Sequence, residues 1–152
     1  MRPIVYIASP LFSSAERGVN EMLSSVLERW CDTFLPQRDG KLVSDLVAKG
    51  SMAAEAYAEV FARDIEAIER CDAILINLDG RSVDEGAAFE LGFAYAMRKV
   101  CVGYRTDVRV LLQWGLNPML VSPLSNIFST ERELESWAEG LASADRQVRS
   151  RA

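Results

Sequence analysis

The sequence predicts an α/β protein built on a doubly wound parallel sheet of about five strands, ordered 2-1-3-4-5. Three observations predict it. Short β-branched and apolar runs recur at Pro3–Ala8, Asp72–Leu78 and Val100–Tyr104. The stretches between them carry apolar residues at helical spacing, most clearly Tyr57, Phe61, Ile65 and Ile68. The run at 72–78 is apolar without interruption, as expected of a strand covered on both faces. In such a sheet, ligands bind outside the carboxyl edge where the strand order reverses, here between strands one and three.

The elements follow in order. Pro3–Ala8 is the first strand, and Ser9-Pro10-Leu11-Phe12 turns the chain. Ser13-Ser14-Ala15-Glu16 fits a capping box, so a helix is expected from about Ser14 to Trp30. Thr33–Leu35 reads as a short second strand, followed by the polar loop Pro36–Gly40. Leu42–Met52 is ambiguous and reads as a short helix with a mobile connection. Ala53–Arg70 is the second long helix and Asp72–Leu78 the third strand. After a turn at Asp79-Gly80, Val83–Arg98 is a helix with Asp84 as N-cap or first-turn acid. Val100–Tyr104 is the fourth strand; Arg105–Leu116 is a loop, or a short helix near Val110–Trp114. Met119–Val121 is taken as the fifth strand, Thr130–Ala144 as the last helix, and Asp145–Ala152 as a fraying polar tail.

Composition bounds the chemistry. A chain of 152 residues, 49% hydrophobic, suits one domain over 1–152 with a full core. The net charge of −5, without a basic run, argues against nucleic acid or an anionic membrane surface as partner. No apolar stretch reaches the length of a membrane span, and MRPIVYIASP enters a strand at once without the layout of a signal peptide, so a cytoplasmic protein is expected. The three cysteines, Cys31, Cys71 and Cys101, show no CxxC spacing and read as core residues of a reducing compartment. Histidine is absent, which removes imidazole bases and most zinc sites. Neither GxGxxG nor GxxxxGK[ST] occurs. Chemistry must then rest on carboxylates, tyrosine, hydroxyls, amides, lysine or arginine, and no metal or organic cofactor is expected.

Glu90 is the residue that asks for an explanation. It lies about two turns into its helix, between Phe89 and Leu91 and among Gly86, Ala87, Ala88, Gly92 and Ala94. It either points to solvent or occupies a confined site, and a desolvated carboxylate there needs a partner or a task. The topology brings Tyr6 and the Ser9–Phe12 loop from strand one beside the Asp79–Asp84 loop from strand three. Asp64, on the last turns of the helix feeding strand three, joins them. Three carboxylates and a phenol in one crevice suit acid–base and nucleophilic work at a glycosidic carbon.

At these residues the sequence resembles the nucleoside 2-deoxyribosyltransferase family. The resemblance is carried by VYIASPLF at 5–12, LPQRDG at 35–40, the Asp64 to Asp72 spacing ending in CDAILINLDG, DEGAAFELGFAYA at 84–96 and GLNPML at 115–120. It implies a flavodoxin-like fold and exchange of one nucleobase for another on a 2-deoxyribose. It further implies that Glu90 is the nucleophile, that Tyr6 orients it, and that Asp64 and Asp84 contact the base and assist its protonation. Phe12 would line the pocket and Gln37 contact the base. Asn117 would be lent by a neighbouring subunit to the sugar hydroxyls, making the protein at least a dimer. Ser9 and Asp79, from the two loops, complete the expected substrate-binding set.

Two departures touch sugar and base contacts: ASPL lacks the glycine that many relatives have before the proline, and DEGAAFE lacks their serine and threonine. The resemblance leaves three activities open. The leading one is a transferase acting on a deoxynucleoside and a free base. The second is a hydrolase of deoxynucleoside 5′-monophosphates, disfavoured by Asn117 but kept open by Arg17 and Arg38. The third is a non-catalytic nucleotide-binding module on the same fold.

Overall fold

The computed structural model describes residues 2–109 and 116–149, and every structural statement below concerns these residues. Twelve elements follow one another: β1 (Ile4–Ala8), α1 (Ser14–Leu27), β2 (Asp32–Phe34), α2 (Pro36–Asp39), α3 (Val43–Ala48), α4 (Ala53–Arg70), β3 (Ala73–Asn77), α5 (Glu85–Ala96), β4 (Val100–Tyr104), α6 (Pro118–Val121), β5 (Asn126–Phe128) and α7 (Glu131–Arg149). The strands form one sheet in the order β2-β1-β3-β4-β5. Every pairing is parallel, with Tyr6 opposite Phe34 on one side and Ile74 on the other. This is the flavodoxin-like arrangement expected from the alternation of strands and helices.

The apolar runs explain which strands lie at the centre. All five residues of β3 are buried, because helices cover both faces. On one face α1 and α7 bring Leu23, Val26, Leu27, Leu134 and Ala138 against Val5, Ile7, Leu75 and Val102. On the other, α4 and α5 bring Ile68, Leu91 and Ala94 against Tyr6, Ala8, Ile74 and Ile76. Each fully buried Leu or Ile contributes roughly 1.5–3 kcal/mol.

Caps place the helix starts. Ser13 Oγ accepts from the Glu16 amide at 3.2 Å while Glu16 returns a bond to the Ser13 amide at 2.7 Å, which completes the expected capping box. Asp84 caps α5 by accepting from the Ala87 amide at 2.9 Å. Gly80 turns the chain between β3 and α5 at a φ of 119°, a left-handed conformation that glycine adopts without strain. At Gly103 in β4 a Cβ would lie 2.9 Å from Leu78 and 3.0 Å from Leu124, so its absence lets the α6 segment pack close.

Several boundaries differ from the sequence expectation. The fifth strand is Asn126–Phe128, whereas Met119–Val121 lies in the helical turn α6. Pro118 at the first helical position, capped by the Asn117 side chain, decides that turn over the apolar triplet. The loop 36–40 contains α2, again opened by a proline. Leu42–Met52 contains α3. The first helix stops at Leu27 rather than Trp30, and the last runs to Arg149, so residues 145–149 of the expected fraying tail are helical. The expected helix near Val110–Trp114 lies outside the described residues. Among those described, no helix is long and apolar enough to cross a membrane.

Candidate active site

The chemistry gathers at the carboxyl end of β1. Tyr6 is fully buried, and its hydroxyl donates to Glu90 Oε1 at 2.7 Å. Glu90 itself is half-buried, reaching the phenol from the second turn of α5. Burial raises its carboxyl to a pKa of about 8; the Tyr6 hydrogen bond opposes the rise, and the charges of Asp64 and Asp84 add to it. Tyr6 is pushed well above the ordinary tyrosine range, first by burial and then by Glu90, so it stays a donor.

Asp64 approaches from α4. Burial raises its carboxyl to about 6, and the neighbouring Arg63 charge pulls the other way. Its Oδ1 is buried with no hydrogen-bond partner among the described residues, an arrangement a purely structural acid avoids. Asp84 caps α5 and lies near enough to Glu90 to raise its pKa. The four residues expected to be catalytic are thus brought together.

The residues expected to bind substrate fall into different settings. Phe12 is 78% exposed in the loop after β1. Ser9 is buried and accepts from Asn77 Nδ2 at 3.1 Å. Gln37 turns toward α1: its Oε1 accepts from Asn20 Nδ2 at 2.9 Å, and its Nε2 donates to the Arg17 carbonyl at 3.2 Å. Asp79 is also engaged, accepting at 2.7 Å each from the Thr106 amide, the Thr106 hydroxyl and the Asp107 amide. Asn117 caps α6 and, with Met119, Leu120, Ala88 and Gly92, lines a hollow of about 640 Å3. Ala88 and Gly92 lie two residues either side of Glu90, on the opposite face of α5. Within one chain, therefore, Asn117 and Glu90 are not brought together.

Two neighbours of Tyr6 escaped the sequence reading. The ring of Phe34 stacks on that of Tyr6, centroids 5.4 Å apart and planes within 11°. Arg63 in turn lies over the Phe34 ring, its guanidinium carbon 5.3 Å from the centroid. The strand register, which sets residue 6 opposite residue 34, is the signal that would have found the first. Among the described residues no group of three or more Cys, Asp or Glu side chains is arranged to hold a metal ion.

The geometry places a carboxylate with a raised pKa, an orienting phenol and a second acid in one crevice, the parts needed to attack one side of a glycosidic bond and protonate the other. Among curated protein sequences none matches. A conserved protein of Enterococcus faecalis V583 is similar in structure, with a TM-score of 0.76 and 24% identity over 92% of this chain and 99% of that one. A 2-deoxyribosyltransferase from the psychrotolerant bacterium Bacillus psychrosaccharolyticus gives 0.68 and 23% identity over 87% and 90%. The CMP N-glycosidase of Clostridium botulinum gives 0.52 and 18% identity over 95% and 98%. These likenesses concern the fold. The sequence profile of the nucleoside 2-deoxyribosyltransferases matches residues 5–150, nearly the whole length, and the chain belongs to that family.

Proposed function

We propose that this protein exchanges the nucleobase of a 2′-deoxynucleoside through a covalent deoxyribosyl ester on Glu90. The observation that carries the reading is the 2.7 Å bond from the buried Tyr6 hydroxyl to Glu90, beside the unpartnered Oδ1 of Asp64. With pKa values of about 6 and 8, Asp64 and Glu90 hold one proton between them near neutrality. The reactive arrangement has that proton on Asp64 and the charge on Glu90, where the Tyr6 O–H stabilises it.

In the first half-reaction a Glu90 oxygen attacks the anomeric carbon as the bond to the base nitrogen breaks. The electron pair leaves with the base, which takes a proton supplied by Asp64, with Asp84 assisting at the ring. Charge builds on the sugar in an oxocarbenium-like transition state, and a 2-deoxy sugar lacks the hydroxyl that would withdraw density from it. In the second half-reaction a ring nitrogen of the incoming base attacks the same carbon, the ester bond breaks, and the proton returns to the carboxylate. No cofactor enters this cycle. Asn117, remote from Glu90 in its own chain, would serve the sugar hydroxyls of a neighbouring subunit, which makes the functional form a homo-oligomer.

Hydrolysis of a deoxynucleoside monophosphate is the alternative outcome of the same ester, with water replacing the acceptor base. The cations that kept it open are both engaged: Arg17 donates to the Leu11 carbonyl at 3.0 Å, and Arg38 is bonded to Glu28 and Asp39. The test is a chromatographic assay of deoxyinosine or thymidine with and without adenine or cytosine, beside Glu90→Ala. A new deoxynucleoside that requires the acceptor and vanishes in the variant supports transfer. Free base released without exchange, above all from a monophosphate, would overturn it in favour of the hydrolase. Binding of either without turnover would favour a nucleotide-binding module.

A further inference from the structure

The Tyr6 ring is held from behind by a column that no chemical step uses. Phe34 lies opposite Tyr6 across the β1–β2 register and stacks on it at 5.4 Å. Arg63 sits over the Phe34 ring at 5.3 Å, one residue before Asp64 on α4. β2 is an edge strand of three residues and Phe34 is only half-buried, so packing against the sheet alone fixes its ring weakly. A cation held over an aromatic ring supplies what burial does not. Arg63 is tethered on its own helix only by Glu66, at 3.6 Å, and its charge also reaches Asp64 and Asp39.

We infer that Phe34 and Arg63 are positioning residues of the active site: Arg63 pins the Phe34 ring, and Phe34 backs the Tyr6 ring so that its hydroxyl stays aligned on Glu90. The inference rests on Tyr6 and Glu90 being the reacting pair. A phenol free to rock by a few tenths of an ångström would loosen the bond that favours the ionised form of Glu90, and the nucleophile would lose both charge and aim. The groups facing Glu90 are Tyr6 from β1, Asp64 from α4 and Asp84 at the head of α5; Arg63 faces Asp64 and, separately, Asp39. Arg63→Met therefore loosens the phenol, which raises the proton affinity of Glu90, and removes the cation beside Asp64, which raises that of Asp64.

The test compares Arg63→Met and Phe34→Leu with Arg63→Lys and Phe34→Tyr, measuring kcat and KM for a deoxynucleoside across pH. The first two should lower kcat about tenfold with KM within about twofold, and both should move the upper limb of the rate profile to higher pH. The conservative pair should recover most of the rate. An unchanged kcat, or a rise in KM alone, would overturn the inference. Arg63→Met changes a partly exposed side chain and carries the test if Phe34→Leu fails to fold. If the wild type turns over no nucleoside or nucleotide, the transferase reading fails on its own, and the pH dependence of the melting temperature still decides. The pH at which Glu90-dependent stability is lost should rise in Arg63→Met and show no such change in a Glu90→Gln background. An identical curve in both would overturn the inference.

Discussion

Two sets of carboxylates lie along this molecule, and they are treated in opposite ways. At the β2 side, Glu28 accepts from Thr33 at 2.6 Å, Arg38 at 2.8 Å and Ser24 at 3.0 Å, while Asp39 accepts two bonds from Arg38 and one from the Leu35 amide. Hydrogen bonds hold both acids below the usual carboxylate range against a counteracting desolvation. At the β1–β3 crevice, among the described residues, Glu90 has one hydrogen-bond donor and Asp64 Oδ1 has none, and burial holds both acids high. Residues of one chemical type fasten the chain in one place and are left short of donors in another. The difference is made by the supply of donors, since charge shared among three donors, or with a guanidinium, is stabilised where it lies.

The two sets should therefore respond oppositely to pH. The folded-state pKa values of Glu90 and Asp64 are raised above their unfolded values, so their contribution is fully present below pH about 4 and is lost as pH rises through about 6 and 8. Those of Glu28 and Asp39 are lowered, so their contribution is present at neutral pH and is lost as pH falls through the folded values.

The comparison is broken most decisively at the nucleophile. Glu90→Gln should reduce base exchange by more than about a thousandfold in the chromatographic assay while raising the melting temperature at pH 9, because the desolvated charge is gone. A variant both inactive and less stable at pH 9 would remove Glu90 from the reactive set. Asp64→Asn should cost about a hundredfold in kcat and abolish the falling limb of the rate profile, since the acid that holds the shared proton is gone and the rate then only rises as Glu90 ionises. The wild-type profile itself should be bell-shaped, rising near pH 6 and falling near pH 8, with both limbs belonging to the pair. Tyr6→Phe should cost roughly tenfold or somewhat more and move the upper limb upward, since the hydrogen bond that lowers Glu90 is lost. The smallest effect lies in the satisfied set. Arg38→Met should lower stability by about 1 kcal/mol or less, because these groups are partly in water, with kcat within about twofold by steady-state kinetics.

The sequence made the central strands and long helices legible, because β3 is apolar throughout and α4 carries a regular apolar stripe. It misplaced β5, where Asn126 and Ile127 are exposed on a three-residue edge strand that leaves little apolar signature, while Met119–Val121 imitates a strand. That Tyr6 and Glu90, 84 residues apart, meet was expected from the strand order together with the family resemblance, whereas the residues alone left Glu90 either pointing to solvent or confined. The settings of Gln37 and Asp79 were not, since each depends on a distant donor, Asn20 on α1 and Thr106 beyond β4, which no local pattern announces. The stacked Phe34 was hidden for the same reason.

The Asp79 carboxylate closes a clamp on the Thr106 amide and hydroxyl and the Asp107 amide. The loops that leave β3 and β4 are therefore yoked, and their wanderings form one degree of freedom instead of two. Their amides should exchange with deuterated solvent in unison, and whatever draws the 80–83 loop toward the crevice tows the 106–107 segment with it.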